Sequence, residues 1–210
     1  MGMHRNLISI AFLLTAICMV QFAGAQTAAT PPATQPAAAA LNCRTPMAFM
    51  TSYDSLAGQD PPAYLALYSL SDDPDVQRLA KAQAKFDAQV GMLQKIVGEK
   101  WGDDAVDQML HALGLKSLRD AQSATIKQQP GRRATMVFAD GSPGPGLIKI
   151  KAGWRLDFPA FCESLGMPVD DYLKQLRQTS KFLPDFADGV VNGKLKDPAA
   201  LVAEITRRMK

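Results

Sequence analysis

The stretch Ser123 to Phe158, SATIKQQPGRRATMVFADGSPGPGLIKIKAGWRLDF, decides the fold. Ala134, Met136 and Phe138 alternate with Thr135, Val137 and Ala139. Further on, Ile148 and Ile150 alternate with Lys149 and Lys151, and Trp154 and Leu156 with Arg155 and Asp157. A period of two places successive side chains on opposite faces of a pleated sheet. The reading predicts four strands, 123–128, 133–139, 147–150 and 154–158, as an antiparallel meander. For the last hairpin it predicts a three-residue loop, Lys151-Ala152-Gly153, because that pairs Ile150 with Trp154 and Ile148 with Leu156 on one apolar face. The Gly-Pro-rich segment 140–146 is expected as an exposed loop between the second and third strands.

Working outward, helical periods lie on both sides. Toward the N-terminus, Pro46 opens a helix carrying Phe49, Met50, Tyr53 and Leu56, and Asp60-Pro61 opens a second with Tyr64, Leu65, Leu67 and Tyr68. Asp73-Pro74 begins the longest element, expected to end at Trp101-Gly102. Val76, Leu79, Gln83, Phe86, Val90, Leu93 and Val97 recur along it at spacings of three and four, the seam of a packed helix. Asp103 is read as the cap of a helix over 104–113, and Ser117-Leu118-Arg119-Asp120 as a capping box. Beyond the sheet come short helices from Pro159 and Pro168, a break at Pro184, where proline lacks the amide hydrogen a helix needs, and a last helix from Asp197-Pro198. The predicted class is α+β: a four-stranded antiparallel meander packed by N-terminal helices, one of them long, and followed by C-terminal helices.

The first residues read as a secretory leader. A basic start (His4, Arg5) precedes the apolar run Leu7 to Val20 and the small-residue ending Ala23-Gly24-Ala25, so cleavage is expected between Ala25 and Gln26. The apolar run is shorter than the roughly 20 residues a membrane-spanning helix requires. Thr15-Ala16-Ile17 ahead of Cys18 lacks the small residue expected beside a lipidated cysteine. Residues 26–41, rich in Ala, Pro and Thr, read as a flexible tether, and 42–210 as one α+β domain (helices 45–122, sheet 123–158, helices 159–208). The expected location is periplasmic or secreted, with no transmembrane anchor after processing.

Loss of Arg5 with the leader takes the 23 Lys and Arg to 22 against 20 acids, a net charge of +2. That balance does not point to nucleic acid or a membrane surface as partner. Cys43 and Cys162 remain, and two readings stand open: a disulfide formed in an oxidising compartment, or Cys162 as a small core residue beside Phe158 and Phe161. Chemistry is sparse. His111 is the one histidine of the exported chain, which excludes a two-histidine zinc site, and neither a metal nor a cofactor is expected. A lone histidine near a helix end is most simply structural; as a catalytic group it would be a general base. Asp103-Asp104 and Asp170-Asp171 sit at helix starts, where carboxylates satisfy free amides. The loop Gly141 to Gly146 lacks the Gly-Lys-Ser/Thr ending of a P-loop, and its prolines remove amide donors. Arg132, Arg133, Lys149, Lys151 and Arg155 read as a solvated sheet face.

Gly153-Trp154-Arg155-Leu156-Asp157, a glycine turn followed by Trp-basic-apolar-Asp closing a meander behind helices, resembles the last strands of NTF2-like domains of the SnoaL type. The resemblance covers about residues 45 to 158 in outline and these five in motif. It implies a curved sheet and a long helix around a cone-shaped pocket, used for ligand binding or for isomerase and dehydratase chemistry. The chain departs from that pattern in lacking a short hairpin between its early helices and in carrying helices after the sheet. Three functions follow as expectations. The first is non-catalytic binding of a small apolar ligand or an envelope protein, with Tyr68, His111 and Trp154 as candidate ligand-binding residues and no catalytic residue. The second is an NTF2-like enzyme, of isomerase or hydrolase type, using His111 as base. The third is a structural envelope protein.

Overall fold

A computed structural model describes residues 43–209, so the expected leader, its cleavage site and the tether as far as residue 42 lie outside the described residues. The longest element forms as the seam predicts. Helix α3, Pro74–Trp101, has Pro74 in its first turn and Asp73 accepting from the Asp75 amide at 2.8 Å, and it ends at Gly102 with φ +83°. Its 28 residues extend about 42 Å. Before it come α1 (Pro46–Asp54), α2 (Pro61–Leu65) and a two-residue strand, β1 (Tyr68–Ser69). After it come α4 (Asp103–Ala112) and α5 (Leu118–Gln122), the latter opened by the Ser117–Asp120 capping box. Gly102 rather than Asp103 stands at the cap of α4. Asp103 is its first helical residue, where its charge still meets the positive end of the dipole.

The sheet contains β1, β2 (Thr125–Gln129), β3 (Arg133–Val137), β4 (Pro143–Ile150) and β5 (Gly153–Asp157), in the order β1-β5-β4-β3-β2. The four strands read from periodicity pair antiparallel, but β1 adds parallel to β5, so the sheet is five-stranded and mixed rather than a four-stranded meander. From the sequence, the second helix is expected to run through Leu67 and Tyr68. That helix stops at Leu65, and the Leu67 carbonyl instead accepts from the Leu156 amide at 3.0 Å. Two residues are too few to show a period.

The last hairpin is also corrected. Ile150 pairs with Gly153 and Lys149 with Trp154, leaving the two-residue loop Lys151-Ala152. The phase of β4 is set upstream, in the segment expected to be loop. Pro143 to Gly146 are strand, and a register shift opposite Thr135–Val137 brings Pro145 and Leu147 inward. Gly144 permits the approach, because a Cβ there would stand 2.8 Å from the Met136 Cβ. Leu147 therefore takes the core place assigned to Ile148, and Ile150 is 40% exposed. Lys149 tolerates a position opposite Trp154 because a long stem can carry its ammonium past the sheet edge into water.

Helices α6 (Phe158–Ser164), α7 (Val169–Ser180), α8 (Leu183–Val191) and α9 (Pro198–Arg208) complete the fold; Pro184 lies in the first turn of α8 and divides it from α7 as predicted. Around α3 pack α2, α4, α7 and α8, with α9 on α4. Ala134, Met136, Leu147 and Trp154 form the covered face of the sheet, which α1 and α6 join to the helical part. Thr135, Val137 and Ile148 on the opposite face are half-buried, and Lys127 and Arg133 are exposed.

Candidate functional site

The convergent polar groups of the fold lie inside it, on α3. Gln83 and Asp87 are four residues apart, hence on one helix face, and the Gln83 amide Nε2 donates to Asp87 Oδ1 at 2.8 Å. Two phenols, Tyr53 from α1 and Tyr68 from β1, both donate to Asp87 Oδ2. Tyr172 from α7 donates to Gln83 Oε1 at 3.1 Å. Five side chains from four elements thus form one network, in which three donors close on the Asp87 carboxyl group and Tyr172 holds Gln83. Each is sealed: Asp87 is 1% exposed, Gln83 2%, Tyr53 and Tyr172 4%, and Tyr68 5%. Aromatic rings form the wall. Tyr64 meets Tyr53 edge-on at 5.4 Å and donates to the Leu56 carbonyl at 2.8 Å, while Phe158 stacks on Tyr68 at 4.9 Å.

Burial sets the electrostatics. Loss of solvation pushes Asp87 up to about 7, against the pull of its three donors, which favour the carboxylate. Tyr53 and Tyr68 are raised well above the usual phenol range, first by burial and then by the Asp87 charge, so both remain donors. The cluster can hold or release one proton near neutrality. A substrate would need a route to it, and its members are sealed. Its chemical capacity is therefore that of a buried clamp, tying α1, β1 and α7 to the middle of α3.

The expected site residues do not come together. Tyr68 joins the cluster. Trp154 shares the covered sheet face, two residues along β5 from the partner of Tyr68; it is 7% exposed, and its amide donates to the Cys43 carbonyl at 2.7 Å. His111 is elsewhere, on the outer side of α4, its side chain 55% exposed and its Nε2 3.0 Å from Asp120 Oδ2. The same Asp120 oxygen accepts from the Ser117 amide at 2.8 Å. Partial burial alone would raise the Asp120 carboxyl, but the bonds from His111 and Ser117 outweigh it and hold the group below the usual range. His111 thus buttresses a capping box.

Asp170 pairs with Arg78 at 2.5 Å, and Asp104 with Arg119 at 3.1 Å. Cys43, buried, and Cys162, half-buried, are free thiols and not a bonded pair. Burial, followed by the charge of Asp73, pushes the Cys162 thiol up to about 11. Among the described residues no group of three metal-ligating side chains converges, and no helix is long and apolar enough to cross a membrane.

Sequence reasoning missed Asp87 and Tyr172 as partners. The available signal was Gln83, a polar residue on an otherwise apolar seam, with an acid one turn later on the same face. Comparison of the chain with protein-family models, with curated proteins and with solved structures finds no match.

Proposed function

We propose that this chain is a non-catalytic exported α+β module that works by holding an envelope partner on its outer surface. One observation carries the reading: the polar groups that converge are sealed in the core, while His111, the candidate base, serves a helix cap on the outside. A general base must reach the proton it abstracts. Sealed Asp87 has no such reach, and exposed His111 is bonded to the capping-box carboxyl of Asp120. The covered sheet face is filled by Met136, Leu147 and Trp154 packed with Phe158, which favours surface recognition over a ligand held between sheet and helix. On the NTF2-like likeness, the reading corresponds to binding rather than to the catalytic uses of that architecture.

Turnover is the test. The exported protein is incubated with chromogenic esters, phosphates and glycosides and with an enolisable ketone, beside its His111→Ala and Asp87→Asn variants. The expected result is the same background rate from all three. Turnover by the parent that His111→Ala abolishes would overturn the proposal and establish the enzyme reading.

A further inference from the structure

The sheet is charged unevenly. From Thr125 to Asp157 the cations are Lys127, Arg132, Arg133, Lys149, Lys151 and Arg155, and the acids are Asp140 and Asp157. Chain direction sorts them. The β2–β3 turn and the β4–β5 turn lie at the same end of the sheet, where the Lys149 amide donates to the Arg132 carbonyl at 2.8 Å. Both acids are committed elsewhere, Asp140 to Lys116 at 2.6 Å and Asp157 to Arg133 at 2.8 Å. Arg44 joins the same end, since the neighbouring Cys43 carbonyl binds the Trp154 amide there. Among the described residues no acid pairs with Arg44, Arg132, Lys149, Lys151 or Arg155. With strands about 4.8 Å apart, the two turns are separated by roughly 10 Å. A near-neutral chain thus concentrates uncompensated positive charge at one end.

We propose that this hairpin end docks on an anionic phospholipid surface. Charge complementarity gives the sign of the partner, and Ile150 gives its kind. Ile150 is 40% exposed and stands between Lys149 and Lys151 in the chain, so an apolar side chain is presented at the same hairpin tip as the cations. A bilayer interface accepts both at once, the alkyl group at the headgroup–acyl boundary and the cations on the phosphates. A soluble polyanion would meet the cations and leave Ile150 in water. The chain also enters the domain at this end, beside Gly153, so whatever precedes Cys43 is attached next to the cations.

The experiment is co-sedimentation of the whole exported chain with vesicles of phosphatidylcholine alone, or mixed with phosphatidylglycerol. The parent should partition onto the mixed vesicles only, and leave them near about 0.5 M salt, where the screening length falls to about 4 Å. Arg132→Asn, Lys149→Gln and Lys151→Gln together should weaken partitioning by on the order of a hundredfold, about fivefold for each cation lost. Asparagine is chosen because Arg132 has φ +62°, a conformation it tolerates. Ile150→Ser alone should also weaken binding, which covers the case in which the triple variant fails to fold. Equal binding to neutral vesicles, or undiminished binding by a folded triple variant, overturns the proposal. So does polyglutamate binding that matches the vesicles and ignores Ile150→Ser, because it would make the partner an acidic protein. None of these results alters the turnover test.

Discussion

Asp87 shows how a single buried carboxyl group couples stability to pH. Its ordinary value is 3.8, and in the folded protein it takes up its proton at about 7. Between those limits folding binds a proton, so this group's contribution is fully present below about pH 4 and is lost as pH rises through about 7. The span corresponds to roughly 4 kcal/mol. Asp87→Asn keeps a neutral acceptor for the tyrosines and removes the titration. Urea denaturation at about pH 5 and about pH 8 should therefore show a smaller upward-pH loss in the variant than in the parent. Parallel losses would mean that Asp87 does not change protonation between those two pH values. Surface carboxylates such as Asp120, held low by their partners, act in the opposite sense, as stability lost toward acid, and cancel in this comparison. Tyr53 and Tyr68 were legible as apolar-face residues, but their convergence on one oxygen was not, because it joins positions far apart in the chain.

Among the elements, α3 was legible almost to the residue, because a proline-led start, a long apolar seam and a terminal glycine agree. So was the division at Pro184. The hairpin register was not: a single-strand pattern gives a period without a phase, and the phase here is set by the β4 segment next to Met136. The two glycines inside α3 give a contrast that tests the packing. A Cβ at Gly91 would collide with the Tyr64 hydroxyl and stand 3.3 Å from Ala57 Cα and the Gly58 amide, whereas at Gly98 it would meet Val106 Cγ2 at 3.4 Å. Alanine gains up to about 1 kcal/mol of helix propensity at either site. At Gly91 that gain is outweighed by overpacking and by displacement of the buried Tyr64–Leu56 bond, leaving a net loss of about 2 kcal/mol. Gly98→Ala should be neutral or stabilising by a few tenths of a kcal/mol. Thermal melts of both variants read the difference, and equal shifts would contradict the close approach of α2 and of the Ala57-Gly58 turn before it to α3.

At the scale of the molecule, the sheet and the helices around α3 meet through few elements, chiefly α1, β1 and α6. Phe158 sits at that joint, fully buried, stacked on Tyr68 and 5.2 Å from Phe161. Phe158→Ala should cost about 3–5 kcal/mol. If the joint makes one cooperative unit, helix ellipticity and Trp154 fluorescence (in a Trp101→Phe background) will shift together in urea. A shift confined to the fluorescence would divide the domain in two. The α+β class and the helical frame were readable from local pattern; this joint was not, because it depends on β1, a strand too short to announce itself. The two rims of the sheet have unequal fates. One is closed by the Leu67 and Cys43 carbonyls, which occupy amides of β5. The other, β2, is the last strand of the sheet among the described residues but displays Thr-Ile-Lys-Gln-Gln, and a lysine midway along it makes the stacking of another copy's strand there electrostatically costly. Growth into fibrils is thus obstructed at one border by the chain's own entry and at the other by a single ammonium group.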